Sequence, residues 1–211
     1  MATTEAQAGD LTRAEQPPSW TFDPRRTEAS FCTSRMGRTW AKGRFKDVHG
    51  KFYLDIDSPR TSSCFGEIDV TKLDAGEPFL NTQLRIADFL DVKDHRRITF
   101  AARLAGGTID TDFTAEVLLT LRGLTRLVMM DVAYLGQWKA PFWRDGENRG
   151  TATRMGLRAA GRITGDDFGI FPEASHSNGN GEIVAANAIE IALDIEAALD
   201  TDLQAIGAIE L

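Results

Sequence analysis

The sequence has few cysteines, no excess of basic residues and no long apolar run, and each absence excludes a class of protein. Cys32 and Cys64 are the only cysteines. Two are too few for a disulfide framework, so we interpret both as packing residues. The net charge of −7 argues against nucleic-acid binding, which requires a concentrated basic surface. No apolar run approaches the roughly 18 residues that a membrane span needs.

Two further absences concern location and chemistry. Residues 1–18 lack the basic and apolar regions of a secretory signal, so we expect a cytoplasmic protein. The three histidines, His49, His95 and His176, do not have the spacing of zinc ligands. No nucleophile elbow, phosphate-binding glycine loop or dinucleotide fingerprint occurs. We therefore predict no catalytic residue, no metal ion and no cofactor.

Alternation of apolar and polar residues is what the sequence does contain, in about eight or nine segments. The longest segment spans residues 183–197. A period of two is typical of a half-buried strand, because successive side chains point to opposite faces. Short turns between such segments favour an antiparallel sandwich or barrel. A strand of this length indicates a strongly curved sheet, and closure into a barrel hides its edges best.

Two intervals depart from this alternation. In residues 77–91, Phe79, Leu80, Leu84, Phe89 and Leu90 predict one or two short helices whose apolar side covers a barrel opening.

The second interval, residues 137–150, is interpreted as a loop that carries Trp138, Phe142 and Trp143. These aromatic residues either pack against the barrel rim or form a lid, a membrane-touching tip or a dimer contact. We assign residues 1–18 to a disordered N-terminal tail, residues 19–199 to one barrel domain and residues 200–211 to a C-terminal tail.

Five blocks of sequence resemble one family, and they occur in that family's order. Residues 20–24 (WTFDP) are similar to the opening Trp-x-Ile-Asp-Pro of YceI-like proteins, and residues 43–45 (GRF) to their Gly-x-Phe. Residues 84–92 (LRIADFLDV) resemble the Leu-Arg-x-x-Asp-Phe-Phe-Asp block. Residues 119–126 (LTLRGLTR) resemble the Leu-Thr-Ile-Arg-Gly-Val-Thr-Arg hairpin, and residues 167–170 match Asp-Phe-Gly-Ile.

The resemblance implies an all-β, lipocalin-like fold with a ligand inside it. We expect a single extended antiparallel β-barrel of about eight strands, with one or two short helices at a barrel end. The implied function is that of a binding or carrier protein for an amphiphilic isoprenoid-type lipid, either polyprenyl or quinone-like. A homodimer is a further implication. Two alternatives stay open: a cavity enzyme of the isomerase or cyclase type using Arg85 and Asp88, and a solid barrel that serves protein contacts.

The inward faces of the strands supply the candidate binding residues. Small residues on these faces, Gly43, Ala102, Ala115, Ala159 and Gly161, would leave volume unfilled. The predicted apolar wall consists of Phe45, Phe52, Leu54, Ile68, Phe100, Val117, Leu119, Met130, Leu157, Ile189, Ile191, Leu193 and Ile195. Possible contacts to a polar head group are Arg85, Arg122, Arg126 and Arg154, since a guanidinium suits phosphate. Ordinary surface ion pairing is the alternative for each arginine.

Overall fold

The chain forms a closed antiparallel β-barrel with one helix at one end and another against its outside. The computed structural model describes residues 17–35, 38–55, 59–87, 89–106, 112–170 and 188–209. The strands are β1 (Ser19–Phe22), β2 (Glu28–Arg35), β3 (Arg38–Phe45), β4 (Val48–Tyr53), β5 (Ser63–Asp69), β6 (Leu73–Asp74), β7 (Arg97–Gly106), β8 (Phe113–Leu121), β9 (Leu124–Arg144), β10 (Glu147–Thr164) and β11 (Ala188–Leu199). The α-helices are α1 (Pro78–Arg85) and α2 (Asp200–Ala205), and short 3-10 helices span Pro59–Thr61, Val70–Lys72 and Gly165–Phe168.

Eight strands form the closed ring, in the order β1-β4-β5-β7-β8-β9-β10-β11, and the pairing of β1 with β11 closes it. The strand β11 pairs with β1 at its C-terminal end and with β2 along the rest of its length. Both β1 and β2 therefore lie beside β11, one after the other along its length. On their other side, β4 pairs with β1 and β3 pairs with β2. The predicted all-β barrel is confirmed.

The strand β11 shows why the period of two predicted this fold. Ile189, Ile195 and Ala197 are buried on the inner face. Glu190 and Asp194 lie on the outer face, where they form ion pairs with arginines of β10. The strand continues to Leu199, beyond the predicted end at residue 197. Residues 183–187 of the prediction lie outside the described residues.

The prediction of a loop over residues 137–150 is wrong, because these residues belong to a long β-hairpin. The strands β9 and β10 pair as far as Arg144 and Glu147, and only Asp145 and Gly146 form the turn. Both turn residues have positive φ, 52° and 81°. An Asp-Gly pair is a strong signal for such a two-residue hairpin turn. A register shift near Gly156 interrupts the alternation.

The three aromatic residues of this hairpin have different surroundings. Phe142 is half-buried against Ala152, Ala198 and Leu203. Trp138 and Trp143 are 40% and 51% exposed. Packing against the barrel therefore holds for Phe142. The roles of the two tryptophans as lid, membrane-touching tip or dimer contact stay predictions.

The predicted helix within residues 77–91 is confirmed as α1, which lies at one end of the barrel. Leu84 and Leu90 are buried over the interior, and Leu80 and Phe89 are half-buried against them. Phe79 departs from the prediction, since it lies on the opposite side of the helix and is 70% exposed. No helix in the described part of the chain is long and apolar enough to cross a membrane.

The segment assigned to a C-terminal tail contains α2, which packs on β1, β10 and β11. Asp200, the first residue of α2, is buried. Its carboxylate accepts hydrogen bonds from Ser19 Oγ (2.8 Å), Thr21 Oγ1 (2.6 Å) and Lys51 Nζ (3.1 Å). Burial alone would raise the pKa of Asp200, but these hydrogen bonds outweigh it and hold the pKa below its usual value.

We expect Asp200→Asn to lower the free energy of unfolding by about 1.5–3 kcal/mol at neutral pH, because hydrogen bonds to a charged group are lost. A lowered folded-state pKa stabilises the protein above the unfolded-state value of about 3.9, and this contribution is lost as the pH falls below it. Urea unfolding at neutral and acidic pH should therefore show a difference between wild type and variant that shrinks with acid. Asp145→Asn, at the exposed hairpin turn, is the control and should change little. A pH-independent loss in Asp200→Asn would contradict this account.

Candidate ligand-binding cavity

The barrel interior contains an apolar cavity of about 200 Å³. Several inward-facing side chains are only half-buried, including Phe31, Phe113, Ile191 and Leu193, because they border this space. An apolar cavity of about 150 Å³ holds a benzene-sized molecule, whereas pockets for drug-sized ligands occupy about 300–1,000 Å³. The cavity is therefore large enough for an apolar group about the size of benzene, and it is smaller than the pockets that bind drug-sized ligands.

Most of the predicted wall surrounds this cavity. The predicted residues that line it are Phe45, Ile68, Phe100, Val117, Leu119, Met130, Leu157, Ile189, Ile191, Leu193 and Ile195. Phe52 and Leu54 are buried in the core but do not border the cavity. Ligand contact by these side chains stays a prediction.

The small residues of the inner faces have two different roles. Ala102, Ala115 and Ala159 line the cavity. Gly43 does not leave empty space, because a Cβ there would lie 2.7 Å from the ring of Phe31. At Gly161 a Cβ would lie 3.0 Å from a backbone oxygen of β9. The expectation of unfilled volume is therefore wrong for these two glycines: neighbouring atoms from β2 and β9 occupy the space.

The sequence-based wall missed two groups of lining residues. The first comes from the strands and includes Ile98, Leu121, Val128, Val132 and Ile163. These residues occupy inward positions of the same alternating segments, so the period of two was sufficient to find them. The second group comes from two segments that cover one barrel end, and we call them the covering segments. One consists of α1 and the residues after it, with Leu84, Phe89 and Leu90, and the other follows β10, with Ile170. Strand periodicity carries no signal for the second group.

Arg122 joins the two covering segments. It lies in the β8–β9 turn with φ of 53°. Its Nη1 donates to the carbonyl oxygen of Gly169, and its Nη2 donates to that of Ala87 at 2.8 Å. Its Nε is buried and has no hydrogen-bond partner. The Arg122 side chain thereby holds the segment after α1 close to the segment after β10.

The other three candidate arginines also contact protein groups outside the cavity. Arg85 donates to the carbonyl oxygens of Thr71 and Leu73, and Arg126 to that of Thr125. Arg154 Nη1 donates to Asp23 Oδ2 (3.0 Å) and Glu196 Oε1 (2.6 Å). None of the four candidates borders the cavity. Their contact with a head group stays a prediction, and Asp88 lies outside the described residues.

Four aromatic rings lie together beside the cavity, and we call them the aromatic cluster: Trp20, Phe52, Phe22 and Phe100. The ring centroids of Trp20 and Phe52 are 5.8 Å apart, those of Phe52 and Phe22 6.2 Å, and those of Phe22 and Phe100 6.4 Å. Phe100 lines the cavity, and the other three rings do not. The aromatic cluster therefore begins at the cavity surface and continues as solid core.

The cavity lining offers little for polar chemistry. Among the described lining residues, Ser30, Thr33 and Cys64 carry the only polar side-chain atoms. Burial raises the pKa of the Cys64 thiol to about 12, so the thiol stays protonated at neutral pH. In the described part of the chain, no group of three or more His, Cys, Asp or Glu side chains is placed to hold a metal ion.

Comparison with known proteins agrees with the five sequence blocks. The YceI-like domain matches residues 20–197. This chain belongs to the YceI-like family. The match begins in β1 and ends in β11, so it covers the whole ring of strands.

Two YceI-like relatives show how far the similarity extends. A UPF0312 protein of Pectobacterium atrosepticum is 29% identical over 184 residues, which cover 86% of this chain and 88% of the relative. A UPF0312 protein of Ectopseudomonas mendocina is 31% identical over 115 residues, which cover 54% of this chain and 59% of that protein.

The likeness to a solved structure supports the fold. A polyisoprenoid binding domain from Saccharophagus degradans, implicated in plant cell wall breakdown, superposes with a TM-score of 0.56 at 13% identity. The superposition covers 85% of this chain and 98% of that domain. At this level of identity the likeness concerns the barrel architecture.

Proposed function

We propose that this protein binds the hydrocarbon chain of an isoprenoid-type lipid inside its barrel and acts as a binding or carrier protein. The observation that carries the proposal is the apolar cavity in the barrel interior, which is lined almost entirely by carbon. The structurally similar domain from Saccharophagus degradans is described as a polyisoprenoid binding domain, which supports this ligand class.

The lining favours binding through hydrocarbon contact alone. Burial of apolar surface contributes roughly 25 cal/mol per Å², so a chain gains affinity with each buried methylene or methyl group. A polar head group would lose its hydrogen bonds to water inside the cavity and find few replacements. We infer that the hydrocarbon enters the cavity and that the polar head of the lipid stays outside it.

The lining also favours binding over catalysis. Among the described lining residues there is no carboxylate, histidine, lysine or arginine, and Cys64 is protonated at neutral pH. General acid–base chemistry requires a titratable group with a pKa near the working pH and within reach of the substrate. The part of the lining that the structure describes therefore supplies an apolar surface and no such group.

The size of the cavity implies that its walls adjust to the ligand. A chain of several isoprene units is larger than the benzene-sized molecule that a space of this volume holds. Met130 lines the cavity, and an unbranched thioether side chain adapts readily to irregular spaces. Leu84 and Ile170 belong to the covering segments and line the cavity, so a ligand larger than this space has to displace them.

Organic extraction of the purified protein followed by mass spectrometry tests the proposal. The expected result is a co-purifying lipid with an isoprenoid chain. Protein stripped of lipid should then bind N-phenyl-naphthylamine, with fluorescence enhancement, and release it when farnesol is added. Extracts that contain no lipid, together with no displacement of the dye by any prenyl alcohol, would refute the proposal.

A further inference from the structure

At one boundary of the cavity, buried aromatic rings lie several layers deep. Aliphatic side chains, small residues and the rings of Phe31, Phe45, Phe89 and Phe113 also line the space. At Phe100 a second ring, Phe22, lies directly behind the first, and Phe52 and Trp20 follow. Trp20, Phe22 and Phe52 are only 3–4% exposed. A ligand that extends in this direction therefore meets four rings in succession.

Two glycines of the neighbouring strands leave room for these rings. A Cβ at Gly66 would lie 2.5 Å from Cζ of Phe100, and a Cβ at Gly50 would lie 2.6 Å from Cε2 of Phe22. Gly50 and Gly66 are also paired with each other across β4 and β5. The rings of Phe22 and Phe100 thus lie directly against backbone that carries no side chain, and this holds both rings in place.

We propose that the aromatic cluster sets the length of hydrocarbon chain that the cavity accepts, with Phe100 as the residue that the chain end contacts. This inference rests on the proposed function. A chain that fits between the covering segments and Phe100 gains affinity with each added isoprene unit. One further unit would have to displace Phe100, whose ring has Phe22 behind it, so the gain stops there.

The proposal follows from the contrast between Phe100 and another lining phenylalanine. Phe45 also lines the cavity and is similarly buried. Its ring partner is Phe31, at 5.8 Å, which is itself a lining residue. Truncation at Phe45 therefore widens the existing space, whereas truncation at Phe100 opens the space toward Phe22.

Competition by linear prenyl alcohols tests the length limit. Geraniol, farnesol, geranylgeraniol and longer prenols are added in turn to lipid-free protein with bound N-phenyl-naphthylamine. In wild type the affinity should rise with chain length and then level off or fall. In Phe100→Ala the optimum should move to a longer prenol. The first prenol beyond the wild-type optimum should bind this variant about ten-fold tighter, or more, than it binds wild type.

Phe45→Ala is the matched control, because it removes the same atoms from another part of the lining. It should change the affinity for all prenols without moving the optimum. Phe100→Leu, which removes less volume, is measured alongside in case Phe100→Ala does not fold. An unchanged optimum in a folded Phe100 variant, or equal shifts in the Phe45 and Phe100 variants, would overturn the length limit and leave the proposed function intact. Failure of wild type to bind any prenol would overturn both.

Discussion

Arg154→Ala is expected to lower the free energy of unfolding, by at most about 3–5 kcal/mol, because it removes the buried cation that Asp23 and Glu196 share. Arg25 and Arg26 still lie 3.5 Å from these two carboxylates, but their side chains are 61% and 60% exposed, so they compensate only weakly. The side chains of Arg154 and Asp23 are 3% and 4% exposed, and that of Glu196 is 17% exposed. The Arg154 guanidinium also lies over the ring of Phe142, at 5.7 Å. Urea unfolding at neutral pH measures the loss.

Two arginines of the same strand provide the control. Arg158 and Arg162 lie four residues apart on the outer face of β10, and each pairs with an acidic residue of β11. Their side chains are exposed, so alanine at either position should cost no more than about 1 kcal/mol. A comparable loss at Arg154 and Arg162 would show that the buried network contributes no more than a surface pair.

A second variant separates the charge from the packing of the arginine. Replacing Asp23 by alanine in the Arg154→Ala background removes one of the two carboxylates that lose their buried partner. The double variant should therefore lose less stability than the sum of the two single variants, since the residues share one network. Additive losses would indicate that Arg154 stabilises the barrel through its aliphatic stem and its contact with Phe142 alone.

Ala159→Phe is expected to weaken prenol binding at least about ten-fold while the barrel stays folded. Ala159 lines the cavity, and the added ring would occupy most of a space that suits a benzene-sized molecule. Each methylene that the ligand fails to bury costs roughly 0.8 kcal/mol, so a loss of two groups already accounts for the effect. Dye displacement measures binding, and thermal unfolding checks the fold.

Its neighbour Ala160 makes the control close to ideal. Ala160 follows Ala159 in β10 and lies exposed on the outer face. Ala160→Phe adds the same ring to the same strand but leaves the cavity unchanged, so prenol binding should equal that of wild type. Full binding in Ala159→Phe would show that the ligand does not occupy this cavity.

The parts of the structure that the sequence predicted are those where one rule acts on neighbouring residues. Ile189 and Ile195 alternate with charged residues because one face of β11 is buried, and that pattern is local. The Asp145-Gly146 turn carries an equally local signal, which the irregular alternation near the register shift obscured.

Other features depend on residues that meet only in the folded chain. Arg154 is separated by 131 positions from Asp23, so its ion pair has no sequence signature. The ring of Phe31 occupies the space beside Gly43 for the same kind of reason, since β2 and β3 determine the approach. Phe52 carries the same apolar pattern as the lining residues, and only its place behind Phe22 separates it from the cavity.

The closure of the ring determines when the barrel interior is first enclosed. The strand β1 pairs with β11 through three residue pairs, and Ser19 Oγ contacts Asp200 across 181 positions of sequence. Contacts of such high contact order form late, because the intervening chain must be ordered first. During synthesis, β1 cannot pair with β11 until residue 199 has left the ribosome. Under the proposed function, lipid loading is consequently a post-translational event.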